Sequence, residues 1–203
     1  MKKKLIALFL AAVMCMSMCI SAHAYATFGY YLKGFWGDDY YYVDDRSDGY
    51  GALVDDAISA WNGAVDVDGY YILDIDLTET TDGDARTTRV VVSPLDRGAT
   101  GWAGFAYYYD VSLLGEWSCI NYGDYPDQNY QAGSAVINRY YTDGYSDVRT
   151  QNVIMHEIGH IFGLAHSSKS TDNGSLMYDG IASIYKLREP QADDVAGIRA
   201  VYE

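Results

Sequence analysis

Three histidines and a glutamate fall within eleven residues of this chain, in the run His156-Glu157-Ile158-Gly159-His160-Ile161-Phe162-Gly163-Leu164-Ala165-His166. The 203 residues include four histidines in all, and the fourth, His23, lies near the start. On a helix, residues four apart share a face, so His156 and His160 present their imidazoles to one point. Glu157 lies one step, about 100°, round the cylinder, beside that point but not in it. Zinc suits such a set, because imidazole nitrogens bind it at roughly 2.0–2.1 Å and three protein ligands leave one position open.

His166 needs a separate argument. Ten helical steps from His156 would turn it about 280° and carry it roughly 15 Å along the axis. It joins the other two only where the helix stops and the chain doubles back. Gly163 stands where that must happen, and glycine accepts the left-handed conformation that closes helices. The full HExxHxxGxxH pattern arises by chance in such a chain with a frequency of roughly 10⁻⁵. The expected chemistry is hydrolysis of a peptide bond by water at one zinc ion held by His156, His160 and His166. Glu157 would take the proton from that water and pass it to the leaving nitrogen.

These side chains need elements to position them. A helix from about Arg149 to Gly163 carries the motif. Ala52 to Asn62 reads as an earlier helix, with Leu53, Val54, Ala57, Ile58 and Trp61 on one stripe. Tyr70–Leu77, Arg89–Val92, Trp102–Tyr109 and Ser134–Tyr141 read as strands, punctuated by Asp-Gly turns. A third helix begins near Pro190, with Asp193 and Asp194 in its first turn. Helix, several strands and two helices make an α+β sandwich.

The first 24 residues stand apart. Lys2-Lys3-Lys4, the apolar run Leu5–Val13 and Ala22-His23-Ala24 have the form of a signal peptide cut after Ala24. Residues 25–203 are then one secreted, extracellular domain with no membrane association. Loss of Lys2, Lys3 and Lys4 takes the net charge from −14 to −17, which disfavours nucleic acid and anionic membranes as partners. Only Cys119 survives the cut, so no internal disulfide forms. The acidic loops Asp82-Gly83-Asp84 and Asp124–Asp127 could hold calcium, but neither matches a calcium-binding pattern well and solvated turns explain them better. The 21 tyrosines, often in runs, fit strand surfaces.

With these residues in view, the chain resembles the metzincin clan of zinc endopeptidases, and within it the matrixins. Ser167 directly after His166 is typical of matrixins, and Ser175-Leu176-Met177-Tyr178 resembles the methionine turn that metzincins place beneath the zinc. The resemblance implies a metzincin-like sandwich of a twisted mixed sheet with three helices, Gly163 and Met177 being structural at the site. It also implies a peptide or protein substrate lying along an edge strand, with Thr100–Tyr107 as the candidate. A pocket walled by Tyr178, Ile181, Ile184 and Tyr185 would take a hydrophobic residue after the cut bond. Three family features are missing: the histidines of a second, structural zinc, a prodomain with a cysteine switch, and a tyrosine two residues after the methionine. The resulting expectation is a minimal monomeric catalytic domain, a secreted zinc endopeptidase. The alternatives are a catalytically idle, zinc-stabilised extracellular binding module and an enzyme acting on a non-protein amide.

Overall fold

The computed structural model describes residues 25–34, 39–64, 75, 77–81, 87–167, 174–186 and 189–202. The expected leader 1–24, the loop Asp82-Gly83-Asp84 and most of the expected strand Tyr70–Leu77 lie outside these residues. A six-stranded sheet forms the centre, in the order β3-β2-β4-β9-β5-β6. Its strands are β2 (Asp39–Val43), β3 (Leu77–Glu79), β4 (Thr88–Leu95), β5 (Gly104–Val111), β6 (Trp117–Cys119) and β9 (Ala132–Asn138). β2, β3, β4 and β9 run parallel, whereas β5 is antiparallel to both β9 and β6. Two short pairs lie outside it: β1 (Ala26–Thr27) with β10 (Leu164–Ala165), and β7 (Asn121–Tyr122) with β8 (Tyr125–Pro126).

Three helices of ten residues or more, α1 (Tyr50–Asn62), α3 (Asp147–Ile161) and α4 (Ala192–Tyr202), accompany the sheet, with the one-turn α2 (Arg139–Thr142) between β9 and α3. The result is a metzincin-like α+β fold. α1 forms because Val54, Ala57, Ile58 and Trp61 recur at helical spacing, and all four are buried. Trp61 fixes α1 to α3: its Nε1 donates to the Met155 carbonyl at 3.1 Å, and its ring meets Phe162 edge-on at 5.2 Å. Every residue of β9 is buried, as expected of a strand with neighbours on both sides and a helix across it. Gly133 lets α3 come close, since a Cβ there would lie 2.5 Å from Cγ2 of Ile161.

The strand expected over Ser134–Tyr141 ends early. Asn138 accepts the Tyr140 N–H at 3.2 Å and caps α2, so Arg139–Tyr141 are helical. β4 runs past the expected Val92 to include Pro94. Pairing with β2 stops at Val92, so the N–H that proline lacks falls where no neighbouring strand needs it. The motif helix starts at Asp147 rather than Arg149, and no helix among the described residues is long and apolar enough to cross a membrane.

Candidate metal centre

α3 buries almost its whole length, and His156, Glu157 and His160 are all buried near its end. The helix then stops. Gly163 takes φ of 94°, and a Cβ there would lie 2.8 Å from the Tyr30 carbonyl. Both the left-handed backbone and the close passage of the N-terminal segment therefore require glycine. The chain reverses into β10, which pairs with β1 at Ala26↔Ala165, and delivers His166 to the side of the helix. The Nε2 atoms of His156 and His166 lie 3.0 Å apart, and those of His160 and His166 3.1 Å apart.

What each ring does with its other nitrogen decides the chemistry. Nδ1 of His156 faces the Leu176 carbonyl at 2.9 Å, and Nδ1 of His160 faces the Leu164 carbonyl at 2.7 Å. A carbonyl only accepts, so both Nδ1 atoms carry hydrogen. Burial holds both rings neutral, pushing His156 down to about 3 and His160 well below the ordinary range. Their Nε2 atoms are therefore bare lone pairs. Nδ1 of His166 lies 3.6 Å from Oδ1 of Asp179, and burial lowers this imidazole too, against the opposing pull of Asp179 and Asp124. Three imidazoles converging on one point, two of them held from behind by backbone carbonyls, fit a divalent metal. The donor set, three neutral imidazoles, suits zinc.

Beneath the rings, Met177 fits the gap left by Gly159, where a Cβ would lie 2.5 Å from the methionine sulfur. Asp194 of α4 holds this turn. Its Oδ1 accepts the Ser175 hydroxyl at 2.7 Å and the Met177 N–H at 3.3 Å, and its Oδ2 accepts the N–H groups of Leu176 at 3.0 Å and Gln191 at 2.8 Å. The carbonyl held in place this way, that of Leu176, is the one that orients His156. On the other side Phe28 stacks on the His160 ring at 5.6 Å, and its N–H donates to the Gly163 carbonyl at 3.1 Å.

Glu157 faces an open cavity of about 330 Å³, lined with His160, His166, Asp179, Gly104, Asp124 and Tyr125 among others. Burial pushes its carboxyl up to about 8. A Cβ on Gly104 would lie 2.5 Å from its Oε1, so β5 passes against the carboxylate. β6 pairs with β5 only along Tyr109–Val111, and Gly104, Phe105 and Ala106 at the other end of β5 line the cavity. An adjoining cavity of about 240 Å³ contains Ile181 of the expected pocket wall, together with Ala182 and Val153. Tyr178, Ile184 and Tyr185 do not line it. Tyr178 packs over Gly180, and Tyr185 is exposed, against Arg149. The segment Asp124–Asp127 is the turn and second strand of the β7–β8 hairpin, with Asp124 on the cavity wall.

Gly104, Phe28, Asp179 and Asp194 escaped the reading of the sequence as site residues. Asp179 had a signal, standing two residues after the methionine. Gly104 and Phe28 had none, because their roles come from contacts distant in the chain.

Comparison with known proteins agrees with this architecture. The matrixin family of peptidases matches residues 42–203. Interstitial collagenase of Bos taurus is 38% identical over 65 residues, 32% of this chain and 13% of that protein. Matrix metalloproteinase-19 of Homo sapiens is 38% identical over 66 residues, 32% of this chain and 12% of that protein. The matches thus span about an eighth of each relative's length. Among solved structures, a chain of the GM1-bound form of the ECX AB5 holotoxin has a similar fold, with a TM-score of 0.50 and 16% identity over 85% of this chain and 83% of that one. The family match runs from β2 through the histidine helix and the turn beneath it to the end of α4, and the chain belongs to the matrixin family of zinc metallopeptidases.

Proposed function

We propose that the protein is a secreted, zinc-dependent endopeptidase, with residues 1–24 as its signal peptide and residues 25–203 as its catalytic domain. The observation that carries this reading is the convergence of three imidazole nitrogens beside one buried carboxylate, at the open edge of a sheet. His156, His160 and His166 hold the metal, and the carbonyls of Leu176 and Leu164 and the Asp179 carboxylate orient them. Zinc in this position supplies Lewis acidity. Glu157 takes a proton from the attacking water and returns it to the leaving nitrogen. Its raised proton affinity suits a group that must both accept and release a proton near neutrality. The free edge of β5 pairs with an extended peptide and lays the bond to be cut beside Glu157. The cavity around Ile181 receives the side chain that follows the cut.

A structural zinc site needs the three histidines but no carboxylate buried next to them, and Glu157 therefore favours an enzyme over an idle binding module. The test is cleavage of a mixed quenched-peptide library by the protein and by Glu157→Ala, with zinc content measured for both. The expected result is one zinc in each and cleavage by the first alone. One zinc in each with cleavage by neither would favour the binding module.

A further inference from the structure

The sheet edge that would receive a peptide is open for only a short distance, and one side chain ends it. The carbonyls of Ala103, just before β5, and of Tyr109 within it face the β9 side, accepting from the N–H groups of Asn138 at 2.8 Å and of Gln131, just before β9, at 2.9 Å. The Tyr108 carbonyl faces the other way and accepts from Ile120 at 2.9 Å. Strand alternation therefore places the N–H and C=O groups of Gly104, Ala106 and Tyr108 on the outer edge. Past β6 the backbone leaves this edge and the Asn121 side chain replaces it. Oδ1 of Asn121 accepts the Tyr108 N–H at 2.8 Å, and its Nδ2 donates to the Ala106 carbonyl at 3.1 Å.

One side-chain amide thus occupies the two positions that a further peptide unit would use. Among the described residues, the N–H and C=O of Gly104 and the N–H of Ala106 remain open on this edge. Gly104 marks the reacting end, because it lies against Glu157. From there the edge runs about two residues, roughly 7 Å, before Asn121 closes it. The same hairpin supplies Asp124 and Tyr125, which wall the cavity.

Resting on the peptidase reading above, we infer that this wall limits strand pairing before the cut bond to about two residues and favours a free amino group at their end. A peptide antiparallel to β5, the stronger of the two pairings, points its amino end at the wall. A parallel one would point its carboxyl end there. Charge selects between them: the carboxyl groups lining the cavity are Asp124, Asp179 and Glu157, no lysine or arginine among the described residues lines it, and an exposed acid at the wall attracts an ammonium and repels a carboxylate. Asn121 is thus a specificity-determining residue that biases the endopeptidase towards cuts near the amino termini of peptides and polypeptides.

The test uses the zinc-loaded protein and a random peptide library, with free or acetylated amino ends, the cut positions being read by mass spectrometry. Cuts are expected to cluster about two residues in from a free amino terminus. Acetylation should lower kcat/KM about 2–5-fold, and Asp124→Asn should abolish that difference. Asn121→Ala frees two edge groups, so cuts should shift inward and kcat/KM for longer leading segments should rise roughly 3–10-fold. Cuts spread evenly along peptides would overturn this inference and leave the peptidase reading standing. No cleavage by a protein carrying one zinc would overturn both. If Asn121→Ala does not fold, the cut positions of the unaltered protein still decide the matter.

Discussion

Gly104→Ala moves the proposed base without touching a proposed ligand. The added Cβ would lie 2.5 Å from Oε1 of Glu157, 2.6 Å from its Cγ and 2.8 Å from its Cδ, where ordinary contact begins near 3.4 Å. The carboxylate must therefore retreat by about 1 Å, a displacement that costs on the order of 10²-fold in rate when it falls on a positioned catalytic group. Gly104 is not among the residues with positive φ, so alanine meets no backbone obstacle there. The stiffer unfolded chain offsets part of the steric cost, by about 0.4–1 kcal/mol. Three measurements suffice: kcat and KM on a fluorogenic peptide, zinc per chain, and thermal melting. The expected result is kcat down about 100-fold with one zinc retained and cooperative unfolding preserved. Gly174→Ala, where an added Cβ meets nothing within 4 Å, serves as the control. Undiminished kcat in a folded Gly104→Ala protein would refute the assignment of Glu157 as the base.

Asp194→Ala removes the acceptor for one hydroxyl and three backbone N–H groups. Unfolding free energy in urea should fall by about 3–5 kcal/mol, and zinc affinity should fall with it through His156. Asp179→Asn should weaken zinc binding about tenfold in chelator competition while leaving the melting curve of the metal-free protein unchanged. Tyr130→Phe deletes the buried bond from the phenol to the Ile161 carbonyl, 2.8 Å, at the end of α3, and should cost about 1 kcal/mol, or a few degrees in Tm. In the metal-free protein Glu157 has a folded-state pKa of about 8, above its ordinary 4.5, so its contribution is full at low pH and is lost as pH rises towards 8. Metal-free Glu157→Gln should therefore gain on the unaltered protein between pH 5 and 8 in urea melts, and zinc should shrink that gain because a cation favours the carboxylate.

The motif helix was legible because its information is local: His156 and His160 share a face by spacing alone, and Gly163 announces the reversal that His166 requires. α1 was legible for the same reason. What stayed hidden was built by distant contacts. β1, β7, β8 and β10 are two residues each, too short to leave a periodic trace, and exist because their partners hold them. The expected edge strand came close to β5, but its termination by Asn121 depends on a side chain folding back over the backbone. The end of β9 was legible and was overlooked, since Asn138 before Arg139 is an ordinary helix-capping signal.

The pairing of Ala26 with Ala165 has a consequence for how the molecule is made. Tyr25 packs where Gly197 leaves room on α4, and Phe28 seats on His160. Nearly the first and nearly the last residues described must meet before the imidazole cluster is enclosed, and contacts so far apart in the chain form late in folding. A chain still being synthesised has made Phe28, His156 and His160, but until α4 is complete it lacks the Asp194 carboxylate that steadies the carbonyl behind His156. Tight metal uptake therefore follows completion of the chain rather than guiding its collapse. A polypeptide moved between compartments unfolded would acquire its metal only at its destination.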